Sequence, residues 1–228
     1  MKKYRLPILV VFGVLFLDQF IKIWIKTHFY LEQERHITSW FSLYFIENEG
    51  MAFGMQLGGN YGKLLLSLFR IAAVFFISYY IIKLVRRKAH KGLIFCFSLI
   101  LAGAIGNILD SIFYGVIFSE SFPDKMAVLF PKGGGYTNWL HGKVVDMLYF
   151  PLFRGTLPNW LPIWGGDQFL FFRDIFNIAD ASISVGVILI LLFQKKFYPK
   201  PVPVREQNTP ETSRLPDENE FHSAHELK

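Results

Sequence analysis

Cysteine is almost missing from this chain: Cys96 stands alone among 228 residues, so no intramolecular disulfide can form. No Cys/His cluster has zinc-ligand spacing, and neither a His-Glu-x-x-His pair nor a Gly-x-Ser-x-Gly elbow occurs. The glycine clusters Gly133-Gly134-Gly135 and Gly165-Gly166 lack the Gly-Lys-Ser/Thr ending of a phosphate-binding loop and read as turns. Charge is scarce too, at 18% of residues where a soluble domain carries about a quarter. Apolar residues take its place: 52% of the chain is hydrophobic, 25 residues are phenylalanine, and the mean hydropathy is +0.32. The length allows one domain with a small elaboration. These quantities describe an integral membrane protein.

Four segments are long and apolar enough to cross a hydrocarbon core of about 30 Å, which takes ~20 helical residues. They run over about 6–25, 62–85, 92–113 and 175–193. The first resembles a secretory signal peptide at its basic start, but it is long, contains Asp18 and Lys22 and lacks an A-x-A-like site, so it reads as a retained anchor. Lys2, Lys3 and Arg5 precede it; Lys83, Arg86, Arg87, Lys88 and Lys91 sit between spans two and three; Lys195, Lys196, Lys200 and Arg205 come after span four. The loop 26–61 carries only Lys26 and Arg35 of that sign. Both termini are therefore expected in the cytoplasm, with loops 26–61 and 114–174 facing outward. The net charge of +6 sets topology and does not indicate nucleic acid. Residues 1–198 form the membrane domain in this reading, and 199–228, rich in Pro, Glu and Ser, a disordered cytoplasmic tail. Lys143 to Phe150 has strand character, and Phe41 to Ile46 alternates enough to pair with it. The expected fold is mostly α, four spans beneath a small outward-facing β-sheet.

Polar groups within a span are costly and therefore informative. Span one holds Asp18 and Lys22, span two Arg70, span three Asn107 and Asp110, span four Asn177 and Asp180. At ~1.5 Å per residue, Asp110 lies ~27 Å from the inner start of its span and Asp180 ~7.5 Å below the outer start of its own, which puts them at nearly one depth. A hydrogen-bonded network joining the helices accounts for any one of these residues equally well. For the set, clustered acids under an outward-facing sheet suggest a site open to that surface. Two neighbouring aspartates cannot both ionise cheaply, so a pair can share a proton, one member activating a water and the other polarising a carbonyl. Cys96 is buried in span three, and His141 reads as a solvated loop histidine.

Five motifs in order resemble the prolipoprotein signal peptidase, or signal peptidase II, family over about residues 5–196. They are Asp18-Gln19-Phe20-Ile21-Lys22, Asn48-Glu49-Gly50-Met51-Ala52-Phe53-Gly54, Gly106-Asn107-Ile108-Leu109-Asp110, Gly142-Lys143-Val144-Val145-Asp146, and Phe176-Asn177-Ile178-Ala179-Asp180-Ala181. The resemblance implies an aspartyl endopeptidase of the bacterial inner membrane that cleaves lipid-modified prolipoproteins before a diacylglyceryl-bearing cysteine. It implies Asp146 and Asp180 as the catalytic dyad, and Asn48, Asn107, Asp110 and Asn177 as residues that position substrate or orient the dyad. Asp18, Lys22 and Gly106 are supporting, no metal or cofactor is needed, the partners are the lipoprotein substrate and membrane lipid, and a monomer is expected.

Two departures stand out. Ser111 occupies the position where the family usually has arginine, and Arg70 on span two is a candidate to supply that charge, or else to pair with Asp18 or Asp110. Extra residues at 112–140 and 151–172 form either a lid or partner surface or plain outer loops, the latter being the simpler reading. A proton-coupled carrier is the alternative from another class, but it predicts inverted repeats, and spans one and two show no matching pair. A non-catalytic envelope scaffold is the third reading.

Overall fold

The computed structural model describes residues 2–49, 59–156, 158, 160, 166, 168–171 and 174–198. The motif residues 50–54, much of the insertion 151–172 and the expected tail 199–228 lie outside the described residues. Helix α1 spans Arg5–His28, α2 Gly59–Arg86 and α3 Lys91–Leu109, which continues through a π-helical turn, Asp110–Tyr114, into α4, Gly115–Ile117. After the strands come α5, Ile178–Leu192, and α6, Gln194–Phe197.

Among the described residues, three helical stretches, Arg5–His28, Gly62–Arg86 and Lys91–Ile117, are long and apolar enough to cross a membrane. The expected fourth, at 175–193, is shorter as a helix than its sequence suggested. Ile175 and Phe176 form strand β6, paired with β3, and extended Asn177 caps the next helix, so 15 helical residues remain. That is ~22 Å at ~1.5 Å per residue.

The four apolar helices are not equivalent. Of the most apolar window in Lys91–Ile117, 61% is buried, against 17% for α1 and 11% for α2. The third helix is therefore the axis of the bundle, while the first two turn Phe12, Phe16, Phe20, Phe69, Phe75 and Phe76 outward, as lipid-facing helices do. The α3–α5 crossing depends on small residues. A Cβ at Gly103 would sit 2.2 Å from the carbonyl oxygen of Ala179, and one at Gly186 2.8 Å from that of Cys96.

Helix α1 carries one buried polar stripe, Asp18, Lys22 and Lys26, spaced four apart so that all three share a face. The Lys22 ammonium lies 3.0 Å from Asp18 and 2.8 Å from Asp110, with all three side chains at 0% exposure. One turn on, Lys26 pairs with Glu47 of the sheet and donates to Ser121 Oγ at 2.9 Å. Helix α1 is thus tied to α3 by charge at one level and to the outer layer at the next.

That layer is a four-stranded antiparallel sheet ordered β1-β2-β3-β6, with β1 Glu34–Thr38, β2 Phe41–Asn48, β3 Val144–Tyr149 and β6 Ile175–Phe176. A separate pair joins β4, Phe153–Thr156, to β5, Gln168–Phe171. The pairing of β2 with β3 is the one their sequences suggested, in a register that sets Ile46 opposite Asp146 and Asn48 opposite Val144. Strand β3 is buried on both sides, and its Val145 and Met147 pack with Ile25, Phe29, Phe45, Tyr114 and Phe118 in one core. This core fixes the sheet to the ends of α1 and the third helix.

Two substitutions test this account. Lys22→Met leaves two buried carboxylates without their cation and is expected to destabilise the fold by about 3–5 kcal/mol. Gly103→Val forces α3 and α5 apart and should cost about 1–3 kcal/mol or more. Gly13→Val, where an added Cβ meets nothing within 4 Å, is the control and should be near neutral. Thermal unfolding in detergent reads all three, and equal midpoints for Gly103→Val and Gly13→Val would refute the crossing argument.

Candidate active site

Asn177 begins the site because it ends β6 and starts α5. Its backbone is extended (φ −120°, ψ 179°), and its side-chain oxygen accepts from the Asp180 N–H at 2.9 Å, a side-chain N-cap. Its amide nitrogen points the other way, donating to Asp146 Oδ1 at 2.6 Å and to Asn107 Oδ1 at 3.1 Å. One side chain therefore holds a strand aspartate and a helix aspartate in a fixed relation. Asn107 completes the frame from α3: its Nδ2 donates to Asp180 Oδ1 at 2.7 Å, and its oxygen accepts from Lys22 at 2.9 Å. Asn48 at the end of β2 donates to Asp146 Oδ2 at 3.3 Å.

The two aspartates differ in setting. Asp146 is 2% exposed on β3, whereas Asp180 is only partly buried in the first turn of α5. Burial, and after it the negative charge of Asp180, push the Asp146 carboxyl up to about 7, against the opposing hydrogen bond from Asn177, the charge of Lys22 and the hydrogen bond from Asn48. Near neutral pH the Asp146 carboxyl therefore stands between its protonated and ionised forms. The pair can take a proton from one group while giving a hydrogen bond to another.

Asp110 lies beside this pair with both oxygens engaged. Its Oδ2 contacts Lys22 and accepts from Val145 N–H at 3.3 Å, while Oδ1 accepts from Gln19 at 2.9 Å. Asp110 thereby fixes the β3 backbone one residue before Asp146. Asp18 acts likewise on α5, its Oδ1 accepting from the Ala179 N–H at 2.9 Å. Gly106 leaves room for this: a Cβ there would stand 2.7 Å from Asp18 Oδ2. The π-helical turn starts at Asp110, a distortion that often accompanies functional sites.

Arg70 reaches in from α2. Its Nη1 donates to Ser111 Oγ at 3.3 Å, and the charges of Asp180, Asp110 and Asp146 act on it. A cation thus stands at the position that Ser111 leaves uncharged. Gln19 was not singled out by the sequence, although it bridges Asp18, the Gly106 carbonyl and Asp110, and accepts from the Tyr114 hydroxyl. The one available signal was its place beside Asp18, on a face of α1 next to the charged stripe. His141 is not part of this cluster; its Nδ1 lies 2.8 Å from the Trp139 carbonyl oxygen. Among the described residues no group of His, Cys, Asp and Glu could hold a metal ion.

Comparison with known proteins agrees with the motifs. The family model for signal peptidase (SPase) II matches residues 10–195. The lipoprotein signal peptidase of Porphyromonas gingivalis is 56% identical over 180 residues, 78% of each chain. That of Amoebophilus asiaticus is 36% identical over 215 residues, covering 92% of this chain and 84% of its relative. In fold, the chain is similar to a bacterial membrane enzyme solved by the in meso method at 1.9 Å, with a TM-score of 0.53 at 23% identity over 84% of this chain and 94% of that one. With five motifs in order and a family match over most of its length, the chain belongs to the signal peptidase II family.

Proposed function

We propose that this protein is an intramembrane aspartyl endopeptidase that removes signal peptides from diacylglyceryl-modified bacterial prolipoproteins, cutting before the lipid-bearing cysteine. The observation that carries the reading is Asn177, whose amide holds Asp146 while its oxygen holds the first turn of α5 and hence Asp180. The names of the relatives supply the substrate class.

In this mechanism Asp180 is the ionised member. It removes a proton from a water whose oxygen attacks the scissile carbonyl. Protonated Asp146 donates to the carbonyl oxygen and stabilises the negative charge that develops there. The proton taken by Asp180 passes to the departing nitrogen as the C–N bond breaks, and the tetrahedral oxygen returns the Asp146 proton, so the dyad ends as it began. Asn107 and Asn177 hold the carboxyls in position, Asn48 steadies Asp146, and Lys22 pairs with Asp18 and Asp110 to hold both as fixed supports. Arg70 offers a positive charge at the rim, where a substrate carbonyl or lipid headgroup passes. No metal or cofactor has a part.

The proposed setting is the bacterial inner membrane, with residues 1–198 as a monomeric catalytic domain, both termini cytoplasmic and the dyad toward the outer face. The Lys/Arg distribution supports that orientation. The fourth crossing falls to α5, whose ~22 Å needs α6 or a locally thinned bilayer to complete it. A dyad just inside the outer leaflet is where a lipid-tethered precursor presents its cleavage bond. No feature of the site favours the carrier or scaffold readings.

Purified protein is expected to cleave a diacylglyceryl-modified precursor, and Asp146→Asn and Asp180→Asn should each lose about 10²–10⁴-fold in kcat while folding normally. Full activity in either variant would displace the dyad assignment. The alkaline limb should track Asp146: as pH rises through about 7 its carboxyl loses the required proton and kcat/KM declines. Asn177→Ala removes a donor that favours the ionised form, so the limb should move to higher pH even as activity drops. A limb that stays in place or moves downward in Asn177→Ala would assign it to another group.

A further inference from the structure

A second polar feature lies outside the dyad. A cavity of about 290 Å³ opens where the β2–β3 ladder ends, and its walls include Glu49, Lys63, Glu120, Asn138, His141 and Lys143. Glu49 comes directly after Asn48 on the β2 side, and Lys143 is three residues before Asp146 on the β3 side. At ~3.3 Å per extended residue the cavity stands ~10 Å from the dyad along the strand, a reach of about three residues for an extended peptide.

The far wall comes from the insertion 112–140, which is packed down and does not hang free. Tyr136 N–H donates to the Phe118 carbonyl at 3.1 Å, Thr137 N–H to that of Gly115 at 3.0 Å, and Gly142 N–H to that of Ser111 at 2.9 Å. A Cβ at Gly135 would meet the Gly115 carbonyl oxygen at 2.1 Å, so the two backbones touch. Ser67 of α2 donates to the Leu140 carbonyl at 3.0 Å, tying the same segment to the bundle. These contacts hold the segment against the end of the third helix, where it can serve as a wall.

The lining chemistry selects the occupant. These walls are charged or hydrogen-bonding throughout, unsuited to an acyl chain or to the apolar core of a signal peptide. Lys63 is paired with Glu49. The Lys143 ammonium stands 3.7 Å from Glu47 and 3.8 Å from Glu120, close enough for attraction but beyond good hydrogen-bond length, so donor capacity is left for an incoming acceptor. Glu47 Oε2 is itself buried without a hydrogen bond, which holds negative charge beneath Lys143. The volume is at the small end for a ligand pocket and suits one or two side chains.

We propose that this cavity is a specificity subsite for polar, acceptor-bearing side chains on the mature side of the scissile bond, roughly three residues beyond it. The inference rests on the peptidase reading above. The mature side is the polar part of the precursor and leaves the membrane where the cavity lies. The dyad cuts, and the insertion-built pocket reads the side chains beyond the cysteine.

The test is a set of precursors differing only at the second to fourth residues after the cysteine, carrying aspartates, lysines or leucines. They are cleaved by the wild type, by Glu120→Lys and by Glu34→Lys, a charge reversal on the opposite edge strand β1 that serves as control. Leucines should raise KM about fivefold over aspartates in the wild type with kcat little changed. Glu120→Lys should raise the aspartate-to-lysine ratio of kcat/KM about tenfold, while Glu34→Lys leaves it near the wild-type value. Cleavage with equal ratios in all three enzymes overturns the subsite, and so does an equal shift in both variants, which would reflect overall charge. No cleavage of any precursor by folded wild type overturns the peptidase reading, and the subsite falls with it.

Discussion

A single buried ammonium organises the membrane part of this protein. Lys22 lies between Asp18 and Asp110 with no solvent contact, and each carboxylate uses its remaining capacity to hold something else. Asp18 takes the N–H of Ala179 at the start of α5, and Asp110 takes the N–H of Val145 in β3. Those backbones carry the two aspartates proposed as the dyad. Burying three charges is expensive unless each is compensated. The geometry that compensates them also fixes the relative placement of a helix end and a strand that are far apart in sequence.

The asparagines translate this scaffold into an unequal pair. An amide has a donor end and an acceptor end, and both ends of Asn107 and of Asn177 are in use. Neither side chain can turn over without setting an oxygen against a carboxylate. The remaining difference is burial, which separates Asp146 on its enclosed strand from Asp180 at a partly open helix start. In the proposed mechanism, acid and base roles then follow from position along the fold, with identical chemical groups in both places.

Much of this was legible in the residues. Apolar runs marked the long helices, and the intramembrane polar residues, costly in lipid, marked the cluster that forms the candidate site. The β2–β3 pairing was visible because Phe41 to Ile46 and Lys143 to Phe150 both have strand character. Three features were not legible, each for a physical reason. Ile175 and Phe176 are as apolar as any span residue, and only pairing with β3 withdraws them from the helix. Gln19 has no charge to betray it, and its role exists only once α3 supplies its partners. The insertion 112–140 has loop composition, yet backbone hydrogen bonds from Tyr136 and Thr137 to Phe118 and Gly115, which leave no trace in side-chain pattern, fold it back on the end of the third helix.

The π-helical turn at Asp110–Tyr114 has a consequence for how one helix serves two layers. An α-helix advances 100° per residue, so a face that meets the polar site at Gly106, Asn107 and Asp110 would ordinarily continue in strict phase beyond it. A wider turn changes that phase. Up to its first residue, the helix presents amide and carboxylate groups to the bundle; from its last residue onward, Tyr114 and Phe118 enter the apolar core under the sheet. The turn works as a gear change in a single shaft. It lets membrane and outer layers each keep the rotational setting their own packing demands, and deleting Ile112 alone would put the two layers out of phase while leaving Asp110, Ser111, Phe113 and Tyr114 in the sequence.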